Sequence, residues 1–306
     1  MKKLLFTILL EVWLGFSGAC AHELQMELKP EGMYVSDIST AALQQMFADY
    51  GYNDYIYMKN WQYPPIFLQQ FPYDFTKIDD QDLRNRLFLQ ILTPLALLLN
   101  ENIALERSEI AEMMQQQSRQ QPLSEEQKQR LEALAEQYDV FTRVKAPERY
   151  DILLQNLFMK IDVVPPSLLL AVAAAESNWG TAAEVAAGNA VYKTKDWYTS
   201  EGIKPAEETD DSYRIKVYDS LYDAMADYAL KLNSDVNFEN FRLQRSMIKS
   251  RDKPVRGRVI VSDMVVGSPL ENYAGMLSYI IAFYDLINLD EADLAGIDFF
   301  NKKEPR

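Results

Sequence analysis

The 306-residue sequence contains a single cysteine, Cys20, and a single histidine, His22. Both stand at the edge of the N-terminal segment, so a Ser-His-Asp triad, a Cys-His nucleophile pair and a zinc site built on imidazole or thiolate are not expected, for want of a usable histidine or cysteine. Positive charge is scarce as well. Lys and Arg number 31 against 45 Asp and Glu, for a formal net charge of -14. Nucleic acid and anionic lipid, which are held by clustered cations that displace counterions, are therefore poor partners. A neutral or mixed-charge polymer stays open. No internal repeat is present, and no metal or cofactor is called for by any motif. The chemistry left to the chain is that of carboxylates, tyrosines, lysines and backbone dipoles.

What is present is a packed globular protein, with 48% hydrophobic and 12% aromatic residues. The opening segment has Lys2 and Lys3, then an apolar stretch interrupted by Glu11, then small residues, which is the order of a secretory signal peptide. Ala19-Cys20-Ala21 offers a cleavage site after Ala21, while "SGAC" offers lipid attachment at Cys20 as the alternative. Either way the expectation is an exported protein of the periplasm or cell envelope, membrane-associated only if lipidated, in which neither Cys20 nor His22 carries a role.

Residues 23–75 read as irregular and aromatic, "DYGYNDYIYMKNWQYPP" above all. Apolar residues at helical spacing predict a long helix over 82–114, kinked at Pro94. Ser124 with Gln127 forms a capping box that opens a second helix reaching Tyr138, giving an antiparallel pair. Asp162, Pro165 and Pro166 mark a helix start, and "SLLLAVAAA" has no polar side, so the helix from Pro166 to Ser177 is expected to be buried all round. After Gly188, "AVYKTKDWY" and "SYRIKVYD" predict a small β-hairpin around Gly202 and Pro205. Helices are expected again over 220–233, 239–250 and 270–287, the last opened by a capping box of Ser268 and Glu271. The fold class is mainly α, with a small β-hairpin lobe. The organisation is a signal peptide over 1–21, a helical N-terminal region over 22–145, a catalytic domain over 146–290 and a tail over 291–306.

Within this frame one acid is singled out. Glu176 shares its helical stripe with Leu169 and Ala173 and stands in the last turn, where desolvation and the negative helix end both disfavour a charged carboxylate. A protonated acid near neutral pH is what glycosidic cleavage uses. An acid paired with an arginine at a helix end is the plainer alternative from the residues alone.

The surrounding stretch, "PPSLLLAVAAAESNWGTAAEVAAGN", resembles the core motif of the bacterial peptidoglycan-hydrolase glucosaminidases: an apolar helix, Glu-Ser, one small or polar residue, Trp-Gly-Thr, then Gly-Asn. With "LFLQILTPLALLLNENIALER", "RYDILLQNLFMKIDVVPPSLLLA" and "VYDSLYDAMADYALKLNSDVNFENFRLQR", the chain is similar to the Bax-type branch of that family over roughly residues 71–289. The resemblance implies a lysozyme-like helical domain with a small β lobe that cleaves N-acetylglucosaminyl linkages of cell-wall glycan. Glu176 matches the catalytic acid, Asn189 the Gly-Asn at the cleft floor, and Trp179 the tryptophan packed below the acid. "YAGMLSY" resembles the family's paired tyrosines and puts Tyr273 beside the reacting sugar. Tyr192, Trp197 and Tyr279 are further candidates for substrate binding, and Glu201, Glu207 and Glu208 for a second carboxylate. Where the family continues Gly-Asn with Asn-Leu-Phe-Gly, this chain has Ala190, Val191, Tyr192 and Lys193. That departure keeps two other readings open: a glycan-binding scaffold on the same fold, and a lytic transglycosylase, although the Gly-Leu-Met-Gln stretch typical of the latter is absent.

Overall fold

A computed structural model describes residues 22–302, apart from 57, 59–60, 146–147, 199–200, 206–211 and 265–271, and gives the backbone alone at 301–302. The expected signal peptide with Cys20, the expected Ser268/Glu271 capping box, and the candidates Glu207 and Glu208 lie outside the described residues. The chain divides into two compact units, one of residues 1–97, 170–225 and 291–306, the other of residues 98–169 and 226–290.

The first unit begins with strands β1 (Gln25–Lys29) and β2 (Gly32–Ser36), an antiparallel hairpin in register from Gln25 opposite Ser36 to Lys29 opposite Gly32. Helix α1 (Thr40–Asp49) follows, its N-terminus capped by the Ser39 hydroxyl, which accepts from the Ala42 amide. Strands β3 (Gln62–Tyr63) and β4 (Ile66–Leu68) come next, and β4 adds to β2 in parallel, giving the order β1-β2-β4. The expectation of an irregular segment over 23–75 is thus corrected. Its strands are short, and β1 leaves Gln25, Glu27 and Leu28 exposed, so no clean alternation betrays it.

Helix α2 (Gln81–Ser118) runs on through Pro94. A proline cannot donate to the carbonyl four residues back, here that of Gln90. The buried Tyr52 hydroxyl donates to that carbonyl at 3.0 Å, and the Gln90 side-chain amide returns a bond to the Tyr52 carbonyl at 2.8 Å. The break in the ladder is therefore filled from a separate segment, and the helix continues. Burial pushes the Tyr52 phenol well above its ordinary value, so it stays a donor.

In the second unit, the later part of α2 meets α3 (Glu125–Gln137), which opens on the expected capping box of Ser124 and Gln127. Arg130 bonds Glu109 at 2.9 Å and Glu106 at 3.3 Å, and Tyr138 donates to Glu106 at 2.6 Å, an antiparallel arrangement as expected. Helix α4 (Glu148–Lys160) packs on α3. Between α4 and the next helix, the carbonyls of Lys160, Asp162 and Val163 accept from the fully buried Arg245 guanidinium, which also bonds Asn233. Desolvation lowers Arg245 to about 10, still a cation at neutral pH. Lys249 at 2.7 Å and Arg107 at 3.6 Å flank the Asp162 carboxylate.

Helix α5 (Pro166–Glu176) follows, and every residue from Leu168 to Ala174 is at most 1% exposed, as its unbroken apolar sequence predicts. The remaining elements are α6 (Ala183–Gly188), β5 (Lys195–Asp196) and β6 (Arg214–Ile215), then α7 (Leu221–Ser234), α8 (Glu239–Lys249), α9 (Gly257–Met264) and α10 (Tyr273–Phe283). The predicted hairpin is present as β5 antiparallel to β6, extended by a bridge between Ile203 and Ile215. Tyr213 and Ile215 face inward as expected, but Val217 is half exposed. Helix α9 was not anticipated, and α10 is shorter than the predicted 270–287. Strand β7 (Asp293–Leu294) pairs in parallel with β3, so residues 291–306 hold a strand that belongs to the first unit rather than a simple tail. The chain is mainly α, as its sequence indicates.

Candidate active site

Helix α5 delivers Glu176 to its C-terminal end, where Ala175 and Glu176 are half-buried after seven fully buried residues. The turn that follows explains the residue types around the acid. The Trp179 amide donates to the Ala174 carbonyl at 2.9 Å, with Asn178 left-handed at φ 48°, which is a Schellman ending with asparagine in place of glycine. Trp179 and Gly180 are left-handed too, at φ 57° and 79°. Ser177 is fully buried; its hydroxyl donates to the Ala173 carbonyl at 2.5 Å and accepts from the Gly180 amide at 2.9 Å. Thr181 closes the loop by donating from its hydroxyl to the Asn178 carbonyl at 2.7 Å. A side chain at Gly180 would stand 3.0 to 3.3 Å from the rings of Phe75, Phe88 and Phe71, besides needing a positive φ. Trp179 sets its edge against Phe88 at 5.6 Å. Serine, tryptophan and glycine after Glu176 are thus the parts of a rigid stop that holds the acid at the end of a buried rod.

The Gly-Asn pair is built with equal economy. A Cβ at Gly188 would lie 2.5 Å from the Val217 side chain, so only glycine admits that close approach. The Tyr218 amide donates to the Gly188 carbonyl at 2.9 Å, and the Asn189 side-chain amide donates to the Tyr218 carbonyl at 3.1 Å. Asn189 itself caps α6 in the left-handed conformation, φ 53°.

The segment that departs from the expected pattern is packed inward. Ala190, Val191 and Tyr192 are buried. Lys193 is left-handed, φ 45°, so it occupies in strained form the conformation a glycine would take freely, and its ammonium lies 3.7 Å from the Glu184 carboxylate. Tyr192, a substrate-binding candidate, is corrected: at 4% exposure its ring has little surface to offer a ligand.

On the hairpin, Trp197 is half exposed and packs against Tyr213, Tyr198 is almost wholly exposed, and Glu201 is exposed. In the second unit, α10 begins at the buried Tyr273 and carries Tyr279 on its exposed face, stacked on Phe283 at 5.4 Å. The first unit therefore groups Glu176, Trp179, Asn189, Trp197 and Glu201, while Tyr273 and Tyr279 belong to the second.

Two features were not seen in the sequence. The first is a cleft of about 570 Å³ in the first unit, walled by residues 70–73, by α6 and Asn189, and by Tyr218 and Asp219. Gly180 lines it but Glu176 does not, and His22, expected to be idle, stacks on Tyr73 at its edge, 4.1 Å between ring centroids. The second is Asp290 of the second unit. Its carboxylate accepts from the Ser167 amide at 2.9 Å, bonds the Ser167 hydroxyl at 2.8 Å and accepts from the Gly257 amide at 2.8 Å, so one acid caps the N-termini of both α5 and α9. Burial pushes it up to about 6 in spite of these donors and Arg256. Its 123-residue separation from Ser167 left no local signal.

Comparison with family models finds that residues 154–284 match the glucosaminidase family, described as mannosyl-glycoprotein endo-beta-N-acetylglucosaminidase. The matched stretch is a little under half of the chain and contains Glu176, the Gly-Asn pair, the hairpin and all of α10. No curated protein and no solved structure matches. A glucosaminidase domain supports glycosidase chemistry on a glycan substrate.

Proposed function

We propose that the protein is an exported endo-β-N-acetylglucosaminidase of the Bax-type branch that hydrolyses the glycan strands of peptidoglycan, with Glu176 as its general acid. The observation that carries this reading is the placement of Glu176: a carboxylate at the half-open end of a buried helix, followed by a turn fixed by the Ser177–Gly180 bonds, inside the stretch that matches the glucosaminidase family. In this mechanism Glu176 protonates the leaving glycosidic oxygen. The substrate's own 2-acetamido oxygen attacks the anomeric carbon as that bond breaks, giving an oxazolinium that water then opens to the reducing sugar. Glu201, Glu207 and Glu208 are the carboxylates available if a second acid takes part instead.

The scaffold reading rests on the departure at Ala190–Lys193, and because it shares the fold of the hydrolase, only the products separate the two. The test is to incubate the protein with isolated sacculi and separate the products. New reducing-end N-acetylglucosamine is the expected outcome; anhydro-muropeptides would make it a transglycosylase, and bound but uncut glycan a scaffold.

A further inference from the structure

The cleft below the Glu176 turn is built partly by residues outside the stretch that matches the glucosaminidase family. His22 and residues 70–73, 75 and 76 supply one wall; Gly180, α6 and Asn189 supply another, within the matched stretch. Its volume of about 570 Å³ falls in the range of preformed small-ligand sites. The chemistry of its lining is selective. Among the described residues that line it there is no lysine or arginine, which disfavours a polyanion. The polar groups are the amides of Gln70 and Asn189, the Thr76 hydroxyl and the Asp219 carboxylate, a set suited to hydroxyl and acetamido groups. His22 and Tyr73 stack at an interplanar angle of 11°, and both are about half exposed, so the pair presents a flat apolar face of the kind that covers the C–H face of a pyranose. On α6 the wall is Ala186 and Ala187, both exposed, and no bulky side chain fills the space.

The cleft also joins the candidate active end directly. Gly180 belongs both to the turn that fixes Glu176 and to the cleft wall, and Asn189 and Tyr218 are the bonded pair of the Gly-Asn motif. We infer that this cleft is a glycan subsite, in which the segment before the family-matched stretch helps to hold uncharged N-acetylhexosamine residues of the strand. The inference rests on the glucosaminidase reading for its choice of sugar, but on the cleft's own lining for its existence as a site. It assigns to the N-terminal region a part in binding substrate.

His22 makes the test specific, because it is the only histidine in the sequence and its imidazole ring protons give a single set of NMR signals. The chain, prepared without a histidine tag and carrying Glu176→Gln to prevent turnover, is titrated with a β-1,4-linked N-acetylglucosamine tetrasaccharide and, separately, with a peptidoglycan stem peptide. The His22 signals are expected to shift saturably with the saccharide alone. Adding Ala187→Trp, at an exposed helix position where the fold has room, is expected to weaken that response at least tenfold while the thermal midpoint holds. Unmoved His22 signals, a response to the stem peptide in place of the saccharide, or a response indifferent to Ala187→Trp in a folded protein would each overturn the subsite. Failure of the two readings is distinguishable: unmoved His22 with hydrolysis by the wild type sinks the subsite alone, and shifted His22 without hydrolysis sinks the enzyme alone.

Discussion

Asp290 should make this protein lose stability as pH rises from acid to neutral. The carboxyl is half-buried, and its value moves from 3.8 to about 6 because burial penalises the charged form more than the Ser167 and Gly257 donors favour it. A carboxyl raised on folding binds its proton more tightly in the native state. The stabilisation is therefore complete below about pH 4 and is lost as pH climbs through about 6. At ~1.4 kcal/mol per pH unit the difference amounts to about 3 kcal/mol. Replacing Asp290 with Asn keeps one oxygen for the Ser167 amide but turns an NH2 group toward the Gly257 amide, a fixed cost of roughly 1–3 kcal/mol at every pH. Chemical denaturation of wild type and Asp290→Asn at a series of pH values isolates the residue, because every other titration cancels in the difference. The advantage of wild type over the variant should shrink by about 3 kcal/mol between about pH 4 and about pH 7. An advantage that stays constant, or grows with pH, would refute the assignment of Asp290 as a buried acid that caps both helices.

Tyr52→Phe strands the Gln90 carbonyl that Pro94 leaves open, and should cost roughly 1–3 kcal/mol in denaturant unfolding; a loss near zero would show that water takes over the bond. Lys193→Gly releases left-handed strain at the loss of a partly exposed ion pair, so stability should hold or rise by up to about 1 kcal/mol, and a marked fall would mean the lysine is held by more than strain allows. Gly188→Ala drives a methyl into Val217 and should lower the thermal midpoint through a cost of roughly 1–3 kcal/mol, with an unchanged midpoint contradicting the close approach.

Features written locally were the legible ones. The burial of α5 followed from its lack of a polar side, the capping box at Ser124 from two residues, and the hairpin from two alternating stretches. Glu176 stood out because the sequence around it is otherwise apolar, though apolarity alone did not separate a catalytic acid from a structural ion pair. The resemblance pointed to the catalytic reading, and the buried Ser177 bonds supply a physical reason for the residue types of the motif. What stayed hidden depends on distant partners. The sheet of β1, β2 and β4 draws its third strand from more than thirty residues away and in parallel, with no turn to announce it. The Tyr52–Gln90 exchange that carries α2 across Pro94 and the Asp290 cap on α5 are likewise single contacts between far segments. Such contacts leave no period in the sequence. The stacking of His22 on Tyr73 was hidden for the same reason, since Tyr73 lies fifty-one residues further on.

The central claim is that Glu176 is the proton donor to the glycosidic oxygen. It is tested most directly by the rate at which wild type and Glu176→Gln release reducing ends from purified peptidoglycan, with unfolding midpoints measured alongside. Loss of a general acid removes about 10²–10⁴-fold of rate. The account predicts a fall in that range with the midpoint unchanged; a folded Glu176→Gln protein that works within a few-fold of wild type would contradict it.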